Sequence, residues 1–153
     1  MSLAKTRVLE EFKANIRIKL AALWASVMFC YVYGDYFSLY VPGKINGFTN
    51  GDNLLNSPVK LFAAAVLMAV PALMIFLSVA LKPVPARWLN IIFGIFYTAI
   101  MLLIALTTMA PWWSFYVFFA FLESVLTGIV IWHAIKWPVK QINNIQENTH
   151  YVK

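Results

Sequence analysis

Residues Val59–Leu81, with the sequence VKLFAAAVLMAVPALMIFLSVAL, decide the fold class of this chain. The only charge among them is Lys60, and a helix that crosses the apolar core of a bilayer needs about 20 predominantly apolar residues. Ser57 and Pro58, just before the stretch, are typical of a helix cap and a first helical residue. Pro71, near its middle, predicts a kink. The stretch therefore predicts a helix that crosses a membrane.

Three other stretches have a similar length and apolar character, and proline residues lie at most of their edges. The four predicted spans cover about 20–41, 59–81, 88–109 and 113–135. We expect Pro83 and Pro85 to flank the turn into the third span. The sequence therefore predicts an all-α fold: a polytopic membrane protein with a bundle of four transmembrane helices.

The transmembrane domain covers 20–137 and has a short polar segment at each end. Residues 1–19 form a cytoplasmic arm, predicted either as an amphipathic helix on the membrane surface or as a solvated extension of the first span. Residues 138–153 form a polar cytoplasmic tail. Residues 42–57 are rich in glycine and asparagine, and we expect them either to cap the outer mouth of the bundle or to serve as a plain connector.

The composition of the whole chain agrees with this class. Hydrophobic residues make up 62% of the 153 residues and charged residues 12%, whereas an ordinary soluble domain is about 45–50% apolar and about 25% charged. That balance excludes a soluble globule, a disordered chain and a disulfide-rich scaffold. Cys30 is the only cysteine, so the chain forms no internal disulfide and no cysteine-based metal or redox pair. We therefore expect no metal site and no cofactor.

We interpret the net charge of +6 as a signal of orientation, because basic residues collect on the cytoplasmic loops of membrane proteins. One side of the predicted bundle carries most of the basic residues: Lys5, Arg7, Lys13, Arg17, Lys19, Lys82, Arg87, Lys136, Lys140 and Lys153. The other side carries Lys44 and Lys60. Both termini are therefore predicted to be cytoplasmic, and nucleic acid is not an expected partner.

Asp35 and Glu123 are the two carboxylates inside the predicted spans, about 9 Å and about 15 Å deep at a helical rise of 1.5 Å per residue. An ionised acid in hydrocarbon costs about 2.5–3.5 kcal/mol even on insertion scales, so such residues face a bundle interior or a wet cavity. A dry site favours the neutral acid, and a neighbouring cation reverses that preference. Lys44 and Lys60 can reach Asp35, whereas neither is expected to reach Glu123.

Hydroxyl groups lie near each acid at helical spacing. Tyr31 lies one turn before Asp35, and Tyr116 and Thr127 share a helix face with Glu123. The tyrosines of the first span form an aromatic surface that suits a cation or a flat ligand. The candidate ligand-binding residues are Asp35, Glu123, Tyr31, Tyr36, Tyr116 and Thr127. In the structural alternative, Glu123 donates a hydrogen bond to a neighbouring helix and Asp35 is an interface anchor paired with Lys44.

Stripes of small residues indicate which helices touch, because small residues four apart let helix backbones approach closely. The stripes are Ala22, Ser26, Cys30 and Gly34 on the first span, and Ala120, Ser124 and Gly128 on the fourth. They predict either contact between these two spans or contact between two copies of the chain. A homodimer is the expected oligomer, since two-fold dimers are the commonest symmetric assembly.

Several motifs carry a resemblance to known proteins. The most specific are the tyrosine–aspartate–tyrosine pattern around Asp35 and the loop Pro42-Gly43-Lys44-Ile45, together with Leu23-Trp24 and segments 71–78 and 87–92. Over about Asn15 to Trp137 the chain resembles an uncharacterised family of small bacterial inner-membrane proteins with four spans. The resemblance implies a multi-pass protein of the bacterial inner membrane, in which Glu123 corresponds to a family acid in the last span. It implies no mechanism, because that family has no assigned activity.

Three functions from different classes fit this sequence. The first is binding or transport of a small cationic or amphiphilic molecule in a cavity lined by intramembrane acids and tyrosines, where the proton on Glu123 competes with the ligand. The second is an accessory or assembly subunit whose acids are structural. The third is a membrane enzyme, such as an isomerase, that uses an acid pair on a lipid-like substrate. Enzymatic activity is the less favoured interpretation and no catalytic residue is assigned, since no histidine, cysteine or serine constellation lies at a suitable depth.

Overall fold

The computed structural model describes residues 13–139, and every regular element in that range is helical. The helices are α1 (Ile16–Ser38), α2 (Lys44–Asn50), α3 (Pro58–Ala80), α4 (Pro83–Thr107) and α5 (Ser114–Ile135), with a 3₁₀ turn at Pro111–Trp113 just before α5. Four of them, namely α1, α3, α4 and α5 with its 3₁₀ turn, are long and apolar enough to cross a membrane. The predicted all-α class and the four candidate spans are confirmed.

Two predicted segments lie largely outside the described residues. Of the arm at 1–19, only 13–19 is described, and there the chain enters α1 at Ile16. Of the tail at 138–153, only 138 and 139 are described. The structure of the arm before residue 13 therefore stays a prediction, as does that of the tail beyond residue 139.

The largest difference from the predicted boundaries is at the start of the third span. Helix α4 begins at Pro83 rather than at Trp88, because a proline in the first turn lacks only an N–H group that has no intrahelical partner there. Pro83 and Pro85 are therefore helical residues and do not flank a turn. Helix α1 also begins earlier than predicted, after Asn15, whose side chain caps the helix by accepting a hydrogen bond of 3.1 Å from the backbone N–H of Arg17.

The surface of the bundle suits lipid. Large apolar side chains such as Phe62, Phe76, Phe118 and Phe121 are more than 60% exposed. Monomeric soluble proteins rarely expose contiguous apolar patches of this extent, whereas hydrocarbon around a helix bundle is itself apolar. The four candidate spans and their exposed apolar faces together indicate a multi-pass membrane protein.

The four long helices pack in an up-and-down bundle. Helix α1 contacts both α3 and α5, α4 makes its largest contact with α5, and the contact between α3 and α4 is the smallest of the four. The predicted contact between the first and fourth spans is confirmed, because α1 packs against α5. In the small-residue stripe on α1, Cys30 and Gly34 are buried, whereas Ala22 and Ser26 are exposed. We call the end of the bundle that carries α2 the α2 end, and the opposite end, where α1 begins and α5 stops, the terminal end.

The contact between α4 and α5 is close because it contains a glycine and a pair of hydroxyl groups. A methyl group on Gly94 would lie 2.7 Å from Cγ1 of Ile131, so no larger residue fits without a shift of α5. One turn further along α4, the hydroxyl groups of Thr98 and Thr127 are hydrogen-bonded at 2.6 Å. Thr127 also lies 2.8 Å from the backbone oxygen of Glu123. Thr127 thus joins two helices.

A buried polar network joins three helices in the half of the bundle nearer the terminal end. The indole Nε1 of Trp24 on α1 donates to Oδ1 of Asn90 on α4 at 2.8 Å. Nδ2 of Asn90 donates to the hydroxyl of Ser78 on α3 at 3.1 Å and to the backbone oxygen of Ala86 at 2.8 Å. Trp24, Asn90 and Ser78 are fully buried, and in an apolar interior such groups are tolerated when they are hydrogen-bonded. The network therefore fixes the relative positions of α1, α3 and α4.

Helix α3 stays continuous through Pro71, and a neighbouring helix supplies the hydrogen bond that the proline removes. In a regular helix the carbonyl of Leu67 would accept the N–H of residue 71, four positions later, but proline has no N–H. The hydroxyl of Tyr97, on α4, donates to this carbonyl instead. The proline thus gives α4 a fixed contact point on α3.

Two arginines at the terminal end bond to the last carbonyl groups of neighbouring helices. Nη1 of Arg17 donates to the backbone oxygen of Val79 at 3.1 Å, which joins the start of α1 to the end of α3. Nε and Nη2 of Arg87 donate to the backbone oxygens of Ala134 and Ile135 at 3.1 and 3.2 Å. A cation is favourable beside the negative end of a helix dipole, so both arginines cap helices as well as adding positive charge to this end.

We expect Arg87→Gln to lower the free energy of unfolding by about 1–2 kcal/mol, since it removes both bonds to the end of α5 and the charge beside its dipole. The measurement is the midpoint of unfolding by sodium dodecyl sulfate in mild detergent, followed by circular dichroism. Lys82→Gln is the matched control, because it removes the same charge from an exposed residue whose side chain bonds to no carbonyl within 13–139. Equal effects of the two substitutions would contradict the capping role of Arg87.

Candidate functional site

The carboxyl group of Glu123 lies in a narrow internal space between α1, α4 and α5, which we call the Glu123 crevice. Glu123 is 3% exposed and Tyr31, across the crevice, is 7% exposed. The volume is about 10 Å³, and the other lining residues are Cys30, Gly34, Met101, Tyr116, Phe119 and Ala120. Within residues 13–139, the hydroxyl of Tyr31 has no hydrogen-bond partner. The crevice therefore brings two of the predicted site residues together with Tyr116.

A second and larger space, the α2 cavity, lies between α1, α3 and the segment that carries α2. Its volume is about 700 Å³. Polar groups come from Asp35, Tyr36 and Tyr116, and apolar surface comes from residues such as Leu61 and Met68 on α3. Residues Lys44, Phe48, Asn53, Leu54 and Leu55 close it on one side. Residues of 42–57 therefore line one side of this cavity, and we call this segment the cap; that it covers the outer mouth of the bundle stays a prediction.

The backbone on either side of α2 adopts a conformation that glycine favours. Gly43 and Gly51, the residues on either side of α2, have φ angles of 78° and 77°, a left-handed conformation that side chains with a Cβ atom disfavour. Within α2, a methyl group on Gly47 would lie 2.8 Å from the backbone oxygen of Asp52. This short helix was not predicted from the sequence, although glycine at both of its ends and in its middle is the signal that marks it.

The two lysines at the α2 end do not form the ion pair that the sequence suggested for Asp35. Nζ of Lys44 lies over two aromatic rings, 5.2 and 5.0 Å from their centres, where a cation is attracted by the faces of the rings. Nζ of Lys60 donates to the side chain of Asn56 at 2.9 Å. Within the described part of the chain, the carboxylate of Asp35 therefore faces the α2 cavity without an ion-pair partner.

Tyr116 is the boundary between the two spaces, because its side chain lines both of them. Its ring lies over Gly34, where a methyl group would be 3.6 Å from Cε2 of the tyrosine. A methyl group there would make an ordinary van der Waals contact with the ring, which lies against this turn of α1. Asp35 is on one side of this ring and Glu123 on the other.

Residues 7–144 match the model of a family of unknown function, DUF6326. The chain belongs to this family. The matched range includes all four long helices, the α2 cap and both spaces described above. No curated protein and no solved structure matches the chain. The expectation of an uncharacterised family is confirmed, and DUF6326 membership assigns no activity to the residues around Asp35 or Glu123.

The remaining predicted site residues of this DUF6326 protein lie apart from the Glu123 crevice. The hydroxyl of Tyr36, beside the α2 cavity, is 2.8 Å from that of Tyr40, and this hydrogen bond raises the pKa of the Tyr40 phenol. Thr127 lines neither space, because its hydroxyl is bonded to Thr98 between α4 and α5. Sequence spacing placed Thr127 on the face of Glu123, but a shared face does not imply a shared cavity.

The side chains that line the two spaces of this DUF6326 protein include two acids, three tyrosine phenols and other aromatic rings. Among residues 13–139, no group of three or more histidine, cysteine or acidic side chains has the arrangement needed to hold a metal ion. The α2 cavity combines a carboxylate with apolar and aromatic surface, which suits a molecule with a cationic and an apolar part. Phe48, Leu54 and Met68 were not predicted as lining residues, because apolar residues in a loop and on a span carry no signal that they face a cavity.

Proposed function

We propose that this protein binds or transports a small cationic or amphiphilic molecule in the α2 cavity, as a multi-pass protein of a bacterial inner membrane. The orientation that goes with this proposal has both termini in the cytoplasm, so that the α2 cavity faces the outside. The surrounding partner is the lipid bilayer, and the expected assembly is a homodimer. The observation that carries the proposal is a carboxylate, Asp35, without an ion-pair partner among residues 13–139 in a cavity of about 700 Å³.

The size and lining of the cavity support a small-molecule ligand. Binding sites for such ligands usually measure about 300–1,000 Å³ and are mostly apolar, with a few polar groups that fix the orientation of the ligand. In the α2 cavity the apolar surface comes mainly from residues of α3 and the cap, and the polar lining residues are Asp35, Tyr36, Ser38, Lys44, Asn53 and Tyr116. An apolar body would lie against α3 while the cationic group lies at the carboxylate.

Charge favours a cation at Asp35, although Lys44 opposes it. The carboxylate attracts a positive group, and two charges near a protein surface interact more strongly than in bulk water. Lys44 lines the same cavity, but its charge is drawn towards aromatic rings of the cap and the 3₁₀ turn. Removing the lysine charge should therefore strengthen binding of a cation, and removing the carboxylate should weaken it.

We expect the purified protein in detergent to bind the lipophilic cation tetraphenylphosphonium saturably, and not the anion tetraphenylborate, which has the same shape. Isothermal titration calorimetry at neutral pH measures both. Asp35→Asn should weaken cation binding by about tenfold or more, equivalent to about 1.4 kcal/mol, and Lys44→Gln should strengthen it. Because the two probes differ mainly in the sign of their charge, the pair separates charge recognition from partitioning into the detergent.

The matched control is Asp52→Asn, which removes the same charge at the same end of the bundle. Asp52 lies in the cap but does not line the α2 cavity. Equal weakening by Asp35→Asn and Asp52→Asn would mean that only the overall charge matters, and absence of saturable cation binding would contradict the proposal outright. An unrelated chain that copurifies at a fixed ratio, without cation binding, would favour the accessory-subunit alternative.

A further inference from the structure

Two buried polar side chains, Tyr31 and Glu123, line the Glu123 crevice. Within residues 13–139, no hydrogen bond joins them. The hydroxyl of Tyr31 is inaccessible and has no hydrogen-bond partner in residues 13–139. At Glu123, the hydrogen bond within this range is made by the backbone oxygen, 2.8 Å from the hydroxyl of Thr127. Buried polar groups nearly always have a partner, either protein or ordered water. These two groups line the same space, which therefore calls for a ligand that bonds to both.

The size of the crevice limits that ligand to a very small molecule. Its volume of about 10 Å³ is close to the minimum that takes one water molecule, and a buried water needs two to four polar partners. The polar side chains that line the crevice are those of Tyr31, Glu123 and Tyr116, together with the weakly polar thiol of Cys30. A water between Tyr31 and Glu123 would give each of them a partner.

The titratable groups around the crevice determine whether the carboxyl of Glu123 is favoured as a neutral acid or as an ion. The titratable groups on α1 are Cys30 and Tyr31, and Asp35 beyond the ring of Tyr116. On α5 the group is Tyr116 itself. On α4 the group is Tyr97, which packs behind Tyr31. The hydroxyl of Tyr97 already donates to the backbone oxygen of Leu67 on α3. None of these groups is a cation, so none of the titratable groups around the crevice compensates an ionised Glu123.

The crevice borders the α2 cavity at one end, through the ring of Tyr116. Towards the terminal end, the space is followed by the hydrogen-bonded pair Thr98 and Thr127 and by the network of Trp24, Asn90 and Ser78. The polar groups in those contacts are already paired. Towards the α2 end, the side chain of Tyr116 is shared with the α2 cavity.

We propose that Tyr31 and Glu123 hold one water molecule between them and that Glu123 is a neutral acid in this site. The ligand class is thus water with an exchangeable proton on the carboxyl, supplied from the side of the α2 cavity. This site is separate from Asp35 and does not depend on the proposed binding of a cation there.

Infrared spectroscopy of the protein in lipid vesicles at neutral pH tests the proposal, because a protonated carboxyl has a carbonyl band that an ionised one lacks. We expect the band in the unmodified protein, its loss in Glu123→Gln and its retention in Asp35→Asn. Exchange into heavy water should shift it, since water reaches the proton. Absence of the band at neutral pH would overturn the proposal that Glu123 is neutral. If Glu123→Gln fails to fold, the shift of the band in heavy water can still be measured on the unmodified protein.

Tyr31→Phe distinguishes a bound water from an unpartnered hydroxyl. If the tyrosine holds a water on Glu123, the substitution should move the carbonyl band and lower the unfolding temperature by about 2–4 °C. If the hydroxyl has no partner, removing it should leave the band in place and keep or raise the stability, because a buried unpaired group is unfavourable. The matched control is Tyr33→Phe, an exposed tyrosine on the same helix. An unmoved band, or a Tyr31→Phe protein as stable as the control, would overturn the bound water.

Discussion

Trp24→Ala is expected to destabilise the bundle by about 3–5 kcal/mol, the range measured when large aromatic side chains are removed from protein cores. Trp24 is fully buried, and its ring meets that of Tyr97 edge to face with the centres 5.9 Å apart. The substitution leaves a cavity between α1 and α4. It also deprives Asn90 of the indole N–H that it accepts at 2.8 Å. Both losses are in the same place, so α1 loses its fixed position relative to α4.

The control for this prediction is Trp88→Ala, which removes the same side chain from a residue that is 58% exposed. We expect a change of about 0.5 kcal/mol there, as for surface substitutions in general. Unfolding by sodium dodecyl sulfate in mild detergent, followed by circular dichroism, measures both variants. If the two substitutions cost the same, the position of Trp24 in the core is wrong.

Substitution of Asn90 separates the contribution of the Trp24 hydrogen bond to stability from the contribution of the Trp24 side-chain volume. Asn90→Leu keeps the side chain large but leaves the indole N–H unpaired, and a buried unpaired donor costs about 1–3 kcal/mol. Combining it with Trp24→Phe removes the donor as well, so the double variant should be less destabilised than the sum of the single variants. Simple additivity would mean that the hydrogen bond contributes little to the packing of α1 on α4.

Much of this architecture follows from the sequence, because span length and apolar content are properties of single segments. The stretch around Pro71 and its three counterparts were sufficient to predict the long helices. Boundaries were less certain where proline is ambiguous, since Pro83 can either precede a helix or begin one. The short helix α2 was not predicted, because its seven residues are too few for a periodic pattern.

The candidate site was only partly predictable, because the grouping of side chains depends on how the helices rotate against each other. Glu123, Tyr31 and Tyr116 line one crevice, and Asp35 lies beyond the ring of Tyr116. Helical spacing alone grouped Thr127 with Glu123, whereas the close contact at the α4–α5 interface turns its hydroxyl towards Thr98. Depth along a span can be read from a sequence, but the cavity that a side chain faces depends on the neighbouring helices.

Tyr97→Phe should lower the free energy of unfolding by about 1–2 kcal/mol in a chain that contains Pro71, and by much less in a chain with Pro71→Ala. With proline at 71, the hydroxyl of Tyr97 is the partner of the Leu67 carbonyl in a region where other donors are scarce. With alanine at 71, the restored N–H can bond to the same carbonyl. The tyrosine hydroxyl is then a second donor to a group that is already satisfied.

A double-mutant cycle measures this coupling as the difference between the cost of Tyr97→Phe in the two backgrounds. We expect a coupling of about 1 kcal/mol, and Tyr33→Phe, on the exposed face of α1, should show none with Pro71→Ala. A coupling near zero for Tyr97 would mean that the Leu67 carbonyl does not need the phenol, and that Pro71 has another effect on α3. A clear coupling would mean that the helix-breaking residue and the hydroxyl on α4 act as one unit, in which the proline frees a carbonyl that then fixes α4 against α3.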